Sequence, residues 1–432
     1  MKLSIDTKKI VGEIKLMNAV NNGPKRPLNI DQNTSNFYAY RDAHIPFART
    51  HDASFCSPYG GEHCVDILAV FPNFDANVND PTSYDFQLTD EYLAAISEAG
   101  TEVFYRLGSK IEHWSKKYGT VPPKDNQKWA EICEHIIAHY NEGWANGHHM
   151  GISYWEIWNE PDLGDKCWGG TPEQFYELFV TAAKHLKKRF PDIKIGGPAV
   201  AGYNEKWLRG FFSKVRDEKA PLDFYSWHIY AWSVGGILDK VYLHRRLLDE
   251  FGFNNVESIL NEWNYVKGWT GNEWKQSLID EVGIKGAAFA AGVMCGAQHT
   301  PVDMLMYYDA RYGCGMNGLF DIYCDTRKTY HVIKTWGDMT ALGNECETLC
   351  DVPDIWSVTA VKDGESVTMI SYFSHDENPL KRTFKVSFSG EDKLRTIYLL
   401  DETHDLVPVE TIASDNGEFT LTMEPNTVIV IK

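Results

Sequence analysis

Ser153-Tyr154-Trp155-Glu156-Ile157-Trp158 reads as a β-strand, and it runs straight into Asn159-Glu160-Pro161-Asp162. Aromatic and β-branched side chains suit a pleated surface. Pro161 cannot donate to a ladder, so the strand stops there, and its ring biases Glu160 towards an extended backbone. Outward from this stretch the same texture recurs at 16–20, 46–51, 102–107, 193–198, 224–228, 258–261 and 304–308, which makes eight strands. Helical patterns fall between them at 90–99, 128–140, 172–189, 239–251, 277–295 and 330–342. Thr89-Asp90 is the expected cap of the first, which stops at Gly100. Thr171 caps the third, with Pro172 at its first position and Glu173 in its first turn. Alternating strands and helices imply a parallel sheet, and eight units imply an α/β fold closed into a (β/α)8 TIM barrel over 15–342. A doubly wound open sheet is the rival, but no G-x-G-x-x-G follows the first strand.

Beyond 343 the texture changes. Short alternating runs at 356–361, 366–373, 383–388, 395–400, 417–421 and 428–431 are separated by turn residues such as Lys362-Asp363-Gly364-Glu365. They predict a C-terminal antiparallel β-sandwich over 343–432. A strand within 1–14 is expected to join it.

The composition narrows the function classes. Hydrophobic residues make up 43% and charged residues 24% of the 432, a balance that supports a folded core rather than disorder. The formal net charge is −18 with no long basic run, which argues against a nucleic-acid partner. No run approaches the ~20 apolar residues of a membrane span, so no membrane partner is expected. With Trp 14 and Tyr 22, aromatic residues are plentiful enough to serve a core or to line sugar sites. Nine cysteines at 56, 64, 133, 167, 295, 314, 324, 346 and 350 show no zinc-site spacing and read as reduced thiols. The N-terminus lacks the apolar stretch of a secretion signal, so a cytoplasmic protein is expected.

Two carboxylates carry the chemistry. Asn159 and Glu160 fall at the C-terminal edge of the fourth strand, where barrel enzymes keep their catalytic groups. Glu262, in Ser258-Ile259-Leu260-Asn261-Glu262-Trp263-Asn264, ends the seventh strand. Strands four and seven face each other across a closed barrel, so the pair can flank a glycosidic bond. A gap near ~5 Å gives double displacement with retention, whereas about 6.5–9.5 Å admits a water and inverts.

The chain resembles clan A of the glycoside hydrolases, and family 39 in particular, the family of β-xylosidases and α-L-iduronidases. The resemblance spans barrel and β module, and Trp-Asn-Glu-Pro is its most specific mark. It implies that Glu160 is the acid/base, Glu262 the nucleophile and Asn159 a partner of the sugar 2-hydroxyl. It also implies a His at the second strand end that meets sugar hydroxyls, which falls on His51. The family's His-x-Tyr falls on His228 and Tyr230, beside the nucleophile. Arg49 either orients Glu262 through charge-assisted bonds or forms a buried ion pair with no substrate role.

Other candidates stand alongside these. Trp114 could wall the pocket, Trp263 is core or sugar platform, and Trp168-Gly169-Gly170 shapes the leaving-group side or merely packs a loop. The eighth strand end, Met306-Tyr307-Tyr308-Asp309-Ala310-Arg311, departs from the family's Trp-rich pattern. Tyr308 could supply an aromatic wall, and Asp309 and Arg311 could contact hydroxyls, a sugar carboxylate, or each other. The expectation is an exo-acting retaining β-D-xylosidase without metal or other cofactor. An α-L-arabinofuranosidase or uronate-directed member of the clan, a metal-dependent hydrolase and a non-catalytic carbohydrate-binding barrel are the alternatives. The partner is an oligosaccharide or small glycoside, and the resemblance also points to self-association through the β module.

Overall fold

The computed structural model describes residues 1–27, 34–53, 63–313, 315–316, 318–376, 378–389, 393–413 and 417–432. Cys56 and Cys314 lie outside them. The strands in chain order are β1 (Lys2–Glu13), β2 (Leu16–Asn21), β3 (Phe47–Arg49), β4 (Glu102–Leu107), β5 (Tyr154–Ile157), β6 (Lys194–Val200), β7 (Phe224–Ala231), β8 (Glu257–Tyr265), β9 (Met304–Tyr307), β10 (Asn344–Cys350), β11 (Ile355–Lys362), β12 (Glu365–Tyr372), β13 (Arg382–Phe388), β14 (Leu394–Leu400), β15 (Asp405–Ala413), β16 (Glu418–Met423) and β17 (Thr427–Ile431). Strands β2 to β9 pair in sequence order, all parallel, and β9 closes back on β2. This is the eight-stranded barrel that the alternation predicts.

Helices fill the outer layer. Helix Pro172–Arg189 starts where the sequence says: Thr171 accepts from the Gln174 amide, and Gln174 returns a bond to the Thr171 N–H. Two local expectations fail. The first predicted helix runs Gln87–Glu98, so Thr89 and Asp90 lie inside its first turn and Thr89 donates to Cys64 O instead of capping. The single helix expected over 277–295 is two, Gly271–Val282 and Ile284–Ala297, broken at Gly283. Gly286 packs so tightly under the carbonyl of Glu281 that a Cβ there would stand 2.3 Å from it, which marks the sharp corner.

Inside the barrel, Ala19, Phe47, Phe104, Tyr154, Phe224, Ile259, Met304 and Met306 form an apolar plug toward the strand N-termini. Each such fully buried large side chain contributes about 1.5–3 kcal/mol relative to exposure. Above the plug the interior turns polar, and that change of layer places the site.

The C-terminal module is a nine-stranded sheet in the order β15-β14-β17-β12-β11-β10-β1-β13-β16, antiparallel except where β1 runs beside β13. Its ends face each other over one core of Leu3, Ile5, Phe384, Val386, Ile429 and Ile431, among others. The opposite face of the middle strands, Val367, Met369, Val428 and Val430, joins the barrel's core. The period-2 alternation thus serves two cores at once. Two strands, β10 and β15, are absent from the sequence reading. The first is polar, Asn344-Glu345-Cys346-Glu347, and the second carries Pro408, which is tolerated because β15 is the sheet edge.

Candidate active site

Arg49, at the end of β3, is fully buried and organises the floor of the cavity. Its Nε donates to Glu156 Oε2 at 2.7 Å, Nη2 to Asn159 Oδ1 at 2.7 Å, and Nη1 to Asn21 Oδ1 at 3.1 Å and Glu262 Oε2 at 3.3 Å. The guanidinium fork suits such divergent, planar bonding where a lysine would not. Glu156, two residues beyond the plug's Tyr154 on β5, also accepts from the Ser226 hydroxyl at 2.6 Å and from the Asn261 amide. A buried charge needs this full pairing to be tolerated.

Glu262 reaches the cavity through an irregularity in β8. Trp227 pairs with Leu260, yet His228 pairs with Glu262, so Asn261 is an extra residue. β9 meets the same shift between Leu260 and Trp263. Two consecutive side chains, Asn261 and Glu262, therefore point inward, which strict alternation forbids and a bulge permits. Trp263 then points outward, fully buried against Phe289 and Tyr307 in the helix-facing core. It is not a sugar platform.

Glu160 departs from its expected conformation. Its φ of 50° and ψ of 46° are left-handed, not extended. The ring of Pro161 opposes the right-handed helical region for the residue before it, and the chain escapes to the left-handed side. There Glu160 N–H donates to Ala199 O at 2.8 Å while Trp158 N–H donates to Leu107 O. Neighbouring strands thus lock the turn that lifts Glu160 over the cavity.

The carboxylates meet. Oxygens of Glu160 and Glu262 and a ring nitrogen of His228 all lie within 4.8 Å of one another. His228 Nδ1 is 3.0 Å from Glu160 Oε1 and 3.4 Å from Glu262 Oε2. Its Nε2 is buried without a hydrogen-bond partner, so the ring hydrogen belongs on Nδ1, where the carboxylates accept it. Burial pushes His228 down to about 4, which keeps the ring neutral. Tyr230 donates to Glu262 Oε1 at 2.5 Å. Burial raises Glu160 to about 7 against the opposing pull of His51, Arg49 and the Cys167 thiol. Cys167 Sγ, 3.8 Å from Glu160 Oε2, stays a neutral donor because burial and the nearby carboxylates push its pKa far up. The three ligand atoms could span an ion, but Arg49 already holds a permanent positive charge 3.3 Å from Glu262 and would repel one.

The remaining sequence candidates divide. His51 and Tyr308 gather around Asp52: His51 Nδ1 is 3.2 Å and the Tyr308 hydroxyl 3.3 Å from Asp52 Oδ2. Burial pushes Asp52 up, but His51, His63 and Arg311 outweigh it and hold the carboxyl well below the usual range. Arg311 also sits here, Nη1 3.5 Å from Asp52 and Nε 3.9 Å from Asp309. Asp309 is fully buried and accepts from the Arg311 amide, so it is a structural anchor, not a contact for sugar hydroxyls. Trp114 is 83% exposed, out in solvent instead of walling the cavity. Trp168 packs edge-on against Trp158 and donates to Thr171 O, which is loop packing.

Sequence reasoning assigned no role to Glu156, Asn21, Asn261, Asp52 or Cys167. For Asn21, Glu156 and Asn261 the available signal was a charged or amide side chain inside an apolar strand, which must find a partner.

With this geometry in view, the comparisons decide the family. A model of glycosyl hydrolases family 39 matches residues 55–274, just over half of the chain. The chain belongs to that family. A β-xylosidase of Caldicellulosiruptor saccharolyticus is 28% identical over 360 residues, covering 77% of this chain and 72% of its own. A β-xylosidase of Geobacillus stearothermophilus is 25% identical over 163 residues, and there the chain spans 30% of the relative's length. The solved glucosidase of Croceicoccus marinus superposes with a TM-score of 0.81 at 21% identity, covering 100% of this chain and 98% of that one.

Proposed function

We propose that this family 39 member is an exo-acting retaining glycoside hydrolase and that its glycone is β-D-xylose. The observation that carries the reading is the approach of Glu160 and Glu262 to within 4.8 Å through their oxygens. So close an approach falls with the ~5–5.5 Å of retaining pairs and not with the about 6.5–9.5 Å of inverting ones. Glu262, oriented by Arg49 and Tyr230, attacks the anomeric carbon. Glu160, kept protonated by burial up to about pH 7, gives its proton to the departing oxygen. A carboxyl so tuned near neutrality can donate and then accept in a single cycle. Water, deprotonated by Glu160, then releases the sugar from Glu262. Asn159, held by Arg49 beside both, is the partner for the 2-hydroxyl.

The two named relatives support xylose. A uronate is disfavoured because Arg311, the cation at the eighth strand end, is engaged by Asp52 and Asp309. The free cysteines among the described residues suit a reducing compartment, and we place the enzyme in the cytoplasm. A panel of nitrophenyl glycosides with NMR of the first-formed anomer tests the whole reading. Turnover of the β-D-xyloside with retention is expected. Inversion would refute the mechanism, and preference for the α-L-arabinofuranoside would move the substrate.

A further inference from the structure

Away from the strand ends, three side chains converge on the helical layer. Asp90 lies in helix Gln87–Glu98, His139 in helix Asn126–Glu142, and His148 in the segment that follows. One ligand atom from each lies within 4.8 Å of the other two. Asp90 Oδ1 is 3.0 Å from His139 Nε2 and 3.3 Å from His148 Nε2.

The hydrogen-bond logic is the informative part. His139 Nδ1 is 2.8 Å from Trp144 O. A carbonyl only accepts, so Nδ1 carries the hydrogen. His139 Nε2 in turn meets Asp90 Oδ1 at 3.0 Å, a contact that a proton or a metal ion between the two atoms makes favourable. His148 Nε2 is buried and makes no hydrogen bond, although Asp90 is 3.3 Å away. Two imidazole nitrogens and a carboxylate thus converge on one point. An imidazole whose other nitrogen donates to a backbone carbonyl is the arrangement that orients histidine ligands on metals.

The rings are also pre-positioned. His139 stacks on Phe86 with centroids 3.6 Å apart and planes 4° apart. His148 lies parallel to Tyr140 within 9°. Gly147 is required between them, because a Cβ there would stand 2.1 Å from His139 O and 2.6 Å from its Nδ1. His139 is 2% exposed, while the His148 side chain is 35% exposed and leaves a way in from solvent.

We propose that Asp90, His139 and His148 bind a zinc ion that pins the 143–148 segment to helix Gln87–Glu98. With bonds of about 2.0–2.1 Å, tetrahedral zinc sets its ligand atoms about 3.3 Å apart. The observed 3.0 and 3.3 Å fit that edge. Two neutral imidazoles and one carboxylate suit zinc and leave a fourth position for water. The ion lies in the outer layer, so its role is structural.

The test titrates the metal-stripped full chain with Zn2+, reading heat of binding, melting temperature and xyloside turnover. One zinc per chain is expected, with a raised melting temperature and unchanged turnover. His148→Gln and Asp90→Asn should each weaken zinc binding at least about tenfold, a loss of the size seen for disturbed metal sites, while Glu262→Gln should keep it. Zinc binding lost in Glu262→Gln but kept in His148→Gln would place the ion among the catalytic carboxylates and overturn the proposal, as would no binding at all. Should a variant fail to fold, anomalous scattering at the zinc edge from crystals of the unaltered chain decides the matter. A peak among the three side chains supports the site, and a peak elsewhere or none refutes it.

Discussion

The thiol of Cys167 lies 3.8 Å from Oε2 of Glu160, on the opposite oxygen from the one that His228 meets. The acid/base carboxyl is therefore held from both sides, by a neutral imidazole and by a neutral thiol. The thiol's bond favours the charged form and opposes the burial that raises the pKa.

Removing the thiol donor should move the pH profile in one direction. Cys167→Val takes away a bond that favours ionised Glu160, so its pKa rises and the alkaline limb of kcat/KM shifts to higher pH. A pH–rate profile of the variant checks this. A shift to lower pH, or none, would show that Cys167 does not act on Glu160.

For the unaltered enzyme, protonated Glu160 is the form that starts the cycle. Its pKa near 7 predicts kcat/KM falling about tenfold per unit above neutrality. Glu160→Gln should lower kcat/KM, which reports the glycosylation step, by about 10²–10⁴ with a poor leaving group, and much less with dinitrophenol, which needs no proton. An equal loss on both substrates would contradict general-acid catalysis.

Arg49 joins the floor to the nucleophile. Arg49→Ala would leave the fully buried Glu156 carboxylate without its cation, and breaking a buried pair in this way costs about 3–5 kcal/mol. Denaturant unfolding should show that loss, and turnover should fall with it because Glu262 and Asn159 lose a common donor. Arg49→Lys restores the charge but not the fork, so stability should recover more than activity.

Glu281 offers a stability prediction away from catalysis. It is fully buried, and neither carboxylate oxygen has a hydrogen-bond partner. Burial, helped by Asp309, pushes it up to about 9 from an ordinary 4.5. Between those values the native state holds a proton that the unfolded chain lacks. Stability should therefore fall as pH rises through that window, by about 1.4 kcal/mol per unit for this one group. Glu281→Gln removes the dependence and should be the more stable protein at pH 8. Thermal unfolding of the two at pH 5 and pH 8 measures it, and an unchanged pH slope would disprove it.

Much of this molecule was legible in its residues. Strand and helix alternate with periods that local sterics and burial impose, so eight βα units and a trailing β module could be read without coordinates. Trp155 to Asp162 and Ser258 to Asn264 put a glutamate at each of two strand ends for the same reason, because an apolar run stops where polar groups begin. What joins those glutamates was not local. The extra residue at Asn261 turns Glu262 inward, and the left-handed turn at Glu160 is held by Ala199 and Leu107 on neighbouring strands. Arg49 ties together four groups from β2, β8 and the β5 end. For Trp263 and Asp309 the residues alone leave two readings open, because a side chain's facing depends on bulges and burial that only packing decides. Periodicity is a property of consecutive residues, whereas distance, dielectric environment and protonation arise from segments a hundred residues apart brought within a few ångströms.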